Sequence, residues 1–328
     1  MRITALAGGV GGARFLRGLL AAAPDAELTV IGNVGDDMYL HGLRICPDLD
    51  TVMYTLGGGI HEGQGWGRDG ETFGVAGELA AYGVGPDWFT LGDKDIATHL
   101  VRTQMLQAGY PLSAVTEALC TRWELPFKLV PASDERVETH VVIDDPDHPG
   151  ARKAVHFQEY WVKMHAPDAH SIVSVGVEDA LPAPGVLEAI AAADVVLLPP
   201  SNPVVSIGTI LAIPGIREAL VKGTAPVVGL SPIVGGGPVR GMADKVLAAV
   251  GVKVSAAAVA LHYGSDLLDG WLVDVYADAA AVAEVEAGGI ACRAVPLMMS
   301  TPEATAAMAR AALDLALESA ADTKAARG

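Results

Sequence analysis

Apolar runs of strand length alternate with amphipathic runs along most of this chain, the rhythm of a parallel α/β sheet. Arg2–Ala7 predicts a first strand, and a helical period follows at Ala13–Ala23. Leu28–Gly32 reads as a second strand that runs into the loop "NVGDDMYLHG". "PDLDTVMYTLGGG" carries the marks of a short helix, with Asp48 as N-cap, acid in the first turn and glycine just past the end. Asp87–Leu91 predicts a short strand, and Ile96–Ala108 and Leu112–Trp123 predict helices.

The middle of the chain changes period. Phe127–Val130, Glu138–Ile143 and Ala154–Val162 alternate apolar and polar positions, as half-buried strands do. They predict an inserted, strand-rich subdomain over 126–167. The α/β rhythm then resumes with "HSIVSVGV", a helix at Val186–Ala193, the buried strand "DVVLLPPSNP", a helix at Ile207–Val221 and the strand "APVVGLSP". Further helices, the strand at Trp271–Tyr276, "CRAVPLMMS" and an Ala-rich helix close the chain. The expected fold is Rossmann-like: a mostly parallel sheet with helices on both faces, formed by 1–125 and 168–328, plus the smaller mixed insert.

Composition narrows the partners. The 328 residues include 39 Asp and Glu against 22 Lys and Arg, a net charge of −17. With no basic run to gather positive charge, nucleic acid and anionic membranes are poor partners, whereas small ligands held by amides and a metal suit the chain. The three cysteines are far apart and form no CxxC pair, so neither a zinc site nor a disulfide framework is expected. No signal-type or membrane-spanning run is read, which points to a cytoplasmic protein. The apolar second half leads us to expect a homodimer.

"LAGGVGGARFLRGLL" follows the first strand and opens a helix. Gly9, Gly11 and Gly12 would let a phosphate approach free amides at the positive helix end. A dinucleotide fingerprint fails here, because Arg14 stands at its last position and Asn33, not an acid, ends the second strand. Asp36 and Asp37 lie in the loop after that strand, where open α/β sheets place ligands, and Asp50 lies in the first turn of the next helix. Their hard oxygens suit Mg²⁺. "WFTLGDKDIATHLVRT" offers Trp88, Asp93, Lys94 and Asp95 for an aromatic, hydrogen-bonding ligand. "PPSNPVVSIGTIL" places Ser201 and Asn202 at another strand end, and "LSPIVGGGPVRGMADK" places glycines at a third.

Taken together, these segments and "GNVGDDMYLHGLRICPDLDTVMYTLGG" resemble the CofD/FbiA family of transferases in coenzyme F-420 biosynthesis, from about Arg2 to the closing helix. The resemblance implies a Mg²⁺-dependent transfer to the ribityl hydroxyl of the deazaflavin Fo. The donor would be a guanylylated three-carbon acid phosphate, phosphoenolpyruvyl or 2-phospholactyl, and GMP would leave. It implies donor contacts from Gly9, Gly11, Gly12, Ser201 and Asn202, and deazaflavin contacts from Trp88, Asp93, Lys94 and Asp95. Asp36 and Asp50 are the expected catalytic residues, and with Asp37 the expected metal ligands. On this reading Asp50→Asn stops turnover and barely moves the melting temperature. The Ala-, Gly- and Val-rich composition leans towards the actinobacterial type and so the enolpyruvyl donor. A UDP-sugar-binding regulator of a related family is the alternative, but its "DDGGSSGRLR" run is replaced here by "GDDMYLHGLRICPDLDT".

Overall fold

The computed structural model describes residues 1–86 and 88–327. The chain opens with β1 (Arg2–Ala7), α1 (Gly9–Ala22) and β2 (Glu27–Gly32), then a hairpin of β3 (Met38–Leu40) and β4 (Leu43–Ile45). Four helices follow: α2 (Pro47–Leu56), α3 (Gly74–Ala81), α4 (Asp93–Gln107) and α5 (Leu112–Thr121). Strand β5 (Lys128–Pro131) precedes β6 (Glu138–Asp144), β7 (Arg152–His156) and β8 (Ala169–Val175). Next come α6 (Val186–Ala192), β9 (Val195–Leu198), α7 (Ile207–Ala212), α8 (Ile216–Lys222) and β10 (Val227–Leu230). A short hairpin, β11 (Ile233–Val234) and β12 (Gly237–Pro238), leads to α9 (Ala243–Ala249) and α10 (Ala256–Tyr263). The chain ends with β13 (Gly270–Asp274), α11 (Ala281–Ala287), β14 (Ala291–Val295) and α12 (Pro302–Arg327).

The main sheet has the order β14-β13-β10-β9-β1-β2-β5, with every neighbouring pair parallel. Its central strands β9 and β10 are buried at every position, which is why "VVLL" and "VVGL" read as unbroken apolar runs. Helix α1 buries Phe15, Leu16 and Leu19 on one stripe, and Gly18 admits Thr305 of α12 at close range. Strand order reverses between β1 and β9. The crevice beyond their carboxyl ends is where a doubly wound sheet takes its ligand.

The insert differs from expectation at both borders. Lys128–Pro131 is not part of it: β5 pairs with β2 and forms an edge of the main sheet. Conversely, Ala169–Val175 pairs antiparallel with β6, so the three-stranded sheet β7-β6-β8 reaches past residue 167. Short buried runs of Leu and Val do not say which sheet they join; pairing decides that. The expected strand Ala154–Val162 stops at His156 and continues as a single π-type turn over Glu159–Lys163. The helix expected at Ile207–Val221 is two helices, because Pro214 has no amide hydrogen to donate and Gly215 adopts φ +96. Within the loop "MYLHGL", His41 and Gly42 both have positive φ, the two-residue turn that closes a tight hairpin. Of the strand expected at Asp87–Leu91, Asp87 lies outside the described residues and 88–91 form none.

Candidate active site at the strand-order reversal

Three loops meet at the carboxyl ends of β1, β2 and β9. Gly8 donates its amide to Ser201 Oγ at 3.1 Å, and that hydroxyl donates back to the Gly8 carbonyl at 2.8 Å. The loop after β9 is thereby clamped to the glycine turn. Gly9 needs its glycine for backbone reasons, with φ +64. Gly11 and Gly12 are glycines for a different reason: a Cβ at Gly12 would lie 2.6 Å from Ser201 Oγ, and one at Gly11 would strike the Pro200 carbonyl. Ser201 Oγ thereby uses its proton and one acceptor position on backbone and keeps a second acceptor position. Asn202 accepts the amides of Val204 and Val205 with its side-chain oxygen, and its NH₂ group has no partner among the described residues.

The four acids around this turn separate into two clusters. Asn33, at the end of β2, donates to Asp48 Oδ2 at 2.9 Å and more weakly to Asp36 Oδ1 at 3.4 Å. Gln158, from the insert, donates to the other oxygen of Asp36 at 3.2 Å. Asp48 also accepts from the Gly9 amide, at the positive end of α1. Neither carboxylate has a cationic partner among the described residues, and both are buried. Burial pushes the Asp48 carboxyl up to about 6, against the hydrogen bond from Asn33. Burial also raises Asp36 well above its ordinary value, aided by the negative charges of Asp48 and Asp37.

In the second cluster arginines face the acids. Arg102 grips both oxygens of Asp50 in a fork, with Nη1 3.0 Å from Oδ2. Arg102 also approaches His99 Nδ1 at 3.0 Å, and His99 Nε2 lies 3.5 Å from Asp95, which accepts the Tyr54 hydroxyl at 2.7 Å. Burial raises Asp95, but the hydrogen bond and charge of His99 outweigh it and hold the carboxyl below its ordinary value. Asp37 pairs with Arg44 at 3.0 Å. Burial nevertheless raises the Asp37 carboxyl, against the positive charge of Arg44.

These placements correct several expectations. Asp48 is no N-cap: α2 starts at Pro47 with Cys46 at the cap, which frees the Asp48 carboxylate for the crevice. Asp50 and Asp37, expected to be metal ligands, pair with Arg102 and Arg44, and Asp50 also stands with Asp95 and His99 in a group whose ligand atoms all lie within 4.8 Å of one another, close enough to hold a metal ion. Asp36 alone of those three sits in the cation-free cluster. Asp93 accepts Thr72 Oγ1 and the amides of Gly74 and Val75, Lys94 donates to the Asp69 carbonyl at 2.8 Å, and Asp95 belongs to the buried network. Asp93 thereby holds the first turn of α3, and Lys94 holds the loop before it. Trp88 packs edge-on against Phe89, which lines a groove of about 440 Å³ between α3 and the hairpin, with Ala76, Leu79 and Ala80 opposite. The sequence reading missed Asn33, Gln158 and Arg102 as site-building residues. Helical period was a usable signal for the last, since Asp95, His99 and Arg102 recur on one face of α4.

A family model described as 2-phospho-L-lactate transferase CofD matches residues 3–293. A phosphoenolpyruvate transferase of Streptomyces griseus is 71% identical over 319 residues, covering 97% of this chain and 99% of that one. One from Thermobifida fusca is 62% identical over 327 residues, with 97% and 98% covered. Among solved structures, a UPF0052-family protein from Bacillus halodurans superposes with a TM-score of 0.63 at 18% identity, over 95% of this chain and 99% of that one, which bears on the fold alone. With the family model spanning nearly the whole sheet and relatives aligned end to end, the chain is a transferase belonging to the CofD family.

Proposed function

We propose that this transferase moves a phosphoenolpyruvyl group from a guanosine diphosphate-linked donor to the terminal ribityl hydroxyl of Fo, in coenzyme F-420 biosynthesis. The observation that carries the reading is the near-full-length identity to phosphoenolpyruvate transferases, which also favours the enolpyruvyl over the 2-phospholactyl donor. In the reaction a bond forms between phosphorus and the ribityl oxygen, the bond from phosphorus to GMP breaks, and the hydroxyl proton is released.

Asp36 and Asp48 fit a divalent cation. They are two neighbouring buried carboxylates linked through Asn33, with no cationic side chain to balance them. Oxygen donors of this kind suit Mg²⁺, which binds few carboxylates and completes its shell with water and phosphate oxygens. When bound there, Mg²⁺ would offset charge on the transferred phosphoryl group. Asn33 and Gln158 hold the two carboxylates in orientation, and the Ser201 clamp keeps the glycine turn against the loop after β9. The Asn202 NH₂ group is available to a phosphate or nucleotide oxygen. On the acceptor side, the groove beside Phe89 and Trp88 has the size and apolar lining for a planar heteroaromatic ring. A homodimer in the cytoplasm completes the proposal. Light scattering of the 33.7 kDa chain tests its first part.

Fluorescence titration with Fo, with and without Mg²⁺ and GDP, tests the reading. Saturable binding that responds to GDP, followed by turnover with the enolpyruvyl donor, is expected. Absence of Fo binding under every condition, together with binding of a UDP-sugar, would replace the transferase with a nucleotide-sugar regulator.

A further inference from the structure

Among the described residues seven arginines pair with a carboxylate. Of the arginines without one, Arg14 and Arg240 are the two that stand beside the glycine turn. Arg14 lies on α1 within two turns of the glycine turn and makes no hydrogen bond or ion pair among the described residues. Arg240 follows the β11–β12 hairpin, at the carboxyl end of β10. It donates to the Gln64 carbonyl and lies over the Trp66 ring, 5.6 Å from its centroid. The two guanidiniums are close enough to feel each other. Partial burial, and then the positive charge of Arg14, draw Arg240 below its ordinary value.

The loop that holds Arg240 also lies against the glycine turn. A Cβ at Gly65 would stand 2.9 Å from Val10 Cγ1 and 3.2 Å from Arg240 Nη1, so this position joins the turn and the arginine. Arg17 on α1 pairs with Glu62 at 2.9 Å and ties the same loop down. With 39 acidic residues available, two neighbouring arginines left without a carboxylate are a repulsive arrangement, one that an anionic ligand would relieve.

We propose that Arg14 and Arg240, backed by Trp66, form an oxyanion site at the mouth of the glycine turn that grips the donor substrate. The identity of the ligand rests on the transferase reading; the anion site itself does not. Guanidiniums match both phosphate and carboxylate oxygens, and the donor carries both groups. The site lies apart from the Asp36 and Asp48 pair in its residues.

The test is calorimetric titration of the full chain, Arg14→Gln and Arg240→Gln with inorganic pyrophosphate, phosphoenolpyruvate and GDP, all with Mg²⁺ present. Wild type is expected to bind at least one of the two simple anions. Each variant should weaken that binding by about tenfold or more, and the double variant by less than the product of the two. Arg240→Lys should recover part of the loss. Weakening towards both simple anions identifies phosphate as the held group, and weakening towards phosphoenolpyruvate alone identifies its carboxylate. Affinities unchanged in both variants, or no binding of either anion to wild type, would overturn the proposal. If pyrophosphate behaves as expected and GDP does not bind, the arginine site stands and the guanylylated-donor reading fails.

Discussion

Asp48 and Asp50 stand two residues apart on one helix and do opposite things. A step of two residues turns an α-helix by about 200°, so their carboxylates leave on opposite faces. Asp50 meets Arg102 and gains a cationic partner, whereas Asp48 meets Asn33 and another acid. Asp36 and Asp37 repeat the split in the loop before: Asp37 goes to Arg44, and Asp36 stays without a cation. The comparison teaches that buried acids are informative when they are unbalanced. A neutralised acid holds the fold together, and an acid left beside another acid marks where a cation would be welcome.

The sharpest way to break this contrast is to remove charge from the arginine-paired side. Asp50→Asn leaves Arg102 buried without its counter-charge, and losing one partner of such a pair costs roughly 3–5 kcal/mol. Urea denaturation should show that loss, with any fall in turnover tracking the unfolded fraction. This reverses the expectation drawn from sequence, in which turnover vanished and stability stayed. An Asp50→Asn protein that melts like wild type would return Asp50 to the catalytic set.

The unbalanced side should respond to pH and metal in the opposite sense. The Asp48 carboxyl is raised in the folded chain, so its contribution to stability is fully present below the unfolded value near 4. It is lost as pH climbs through about 6, a change of about 3 kcal/mol for this group. In EDTA, the contribution of this group to the melting temperature should fall between pH 4 and 7, and Mg²⁺ should restore it. Asp48→Asn should flatten that fall and abolish the Mg²⁺ response, with turnover down roughly 100-fold or more, the scale of losing one group that offsets transition-state charge. A Mg²⁺ response that survives Asp48→Asn would place the cation elsewhere.

A finer probe lies at the edge of the arginine-paired network. Tyr54→Phe removes only the hydroxyl that donates to Asp95 at 2.7 Å, and should cost about 1 kcal/mol, with no change in the Mg²⁺ response. Loss of that response in Tyr54→Phe would show that the two clusters act as one.

The sequence by itself determined the parallel sheet, because buried strands must be apolar on both faces and β9, β10 and β13 are. It also determined where the ligand crevice lies, since glycine, Asp and Ser/Asn loops fall at the ends of three strands that the α/β rhythm aligns. The acids were visible, but their roles were not. Whether Asp48 caps its own helix or faces α1 depends on Pro47 starting the helix one residue earlier. Whether Asp50 binds metal or arginine depends on Arg102, 52 residues along the chain. Likewise "KLV" and "AHSIVSV" look alike as strand sequences, and only pairing assigns one to the main sheet and the other to the insert. Local periodicity reports which face of an element is buried. Charge balance and strand partnership are properties of pairs that meet only after folding, so only the tertiary structure could decide them.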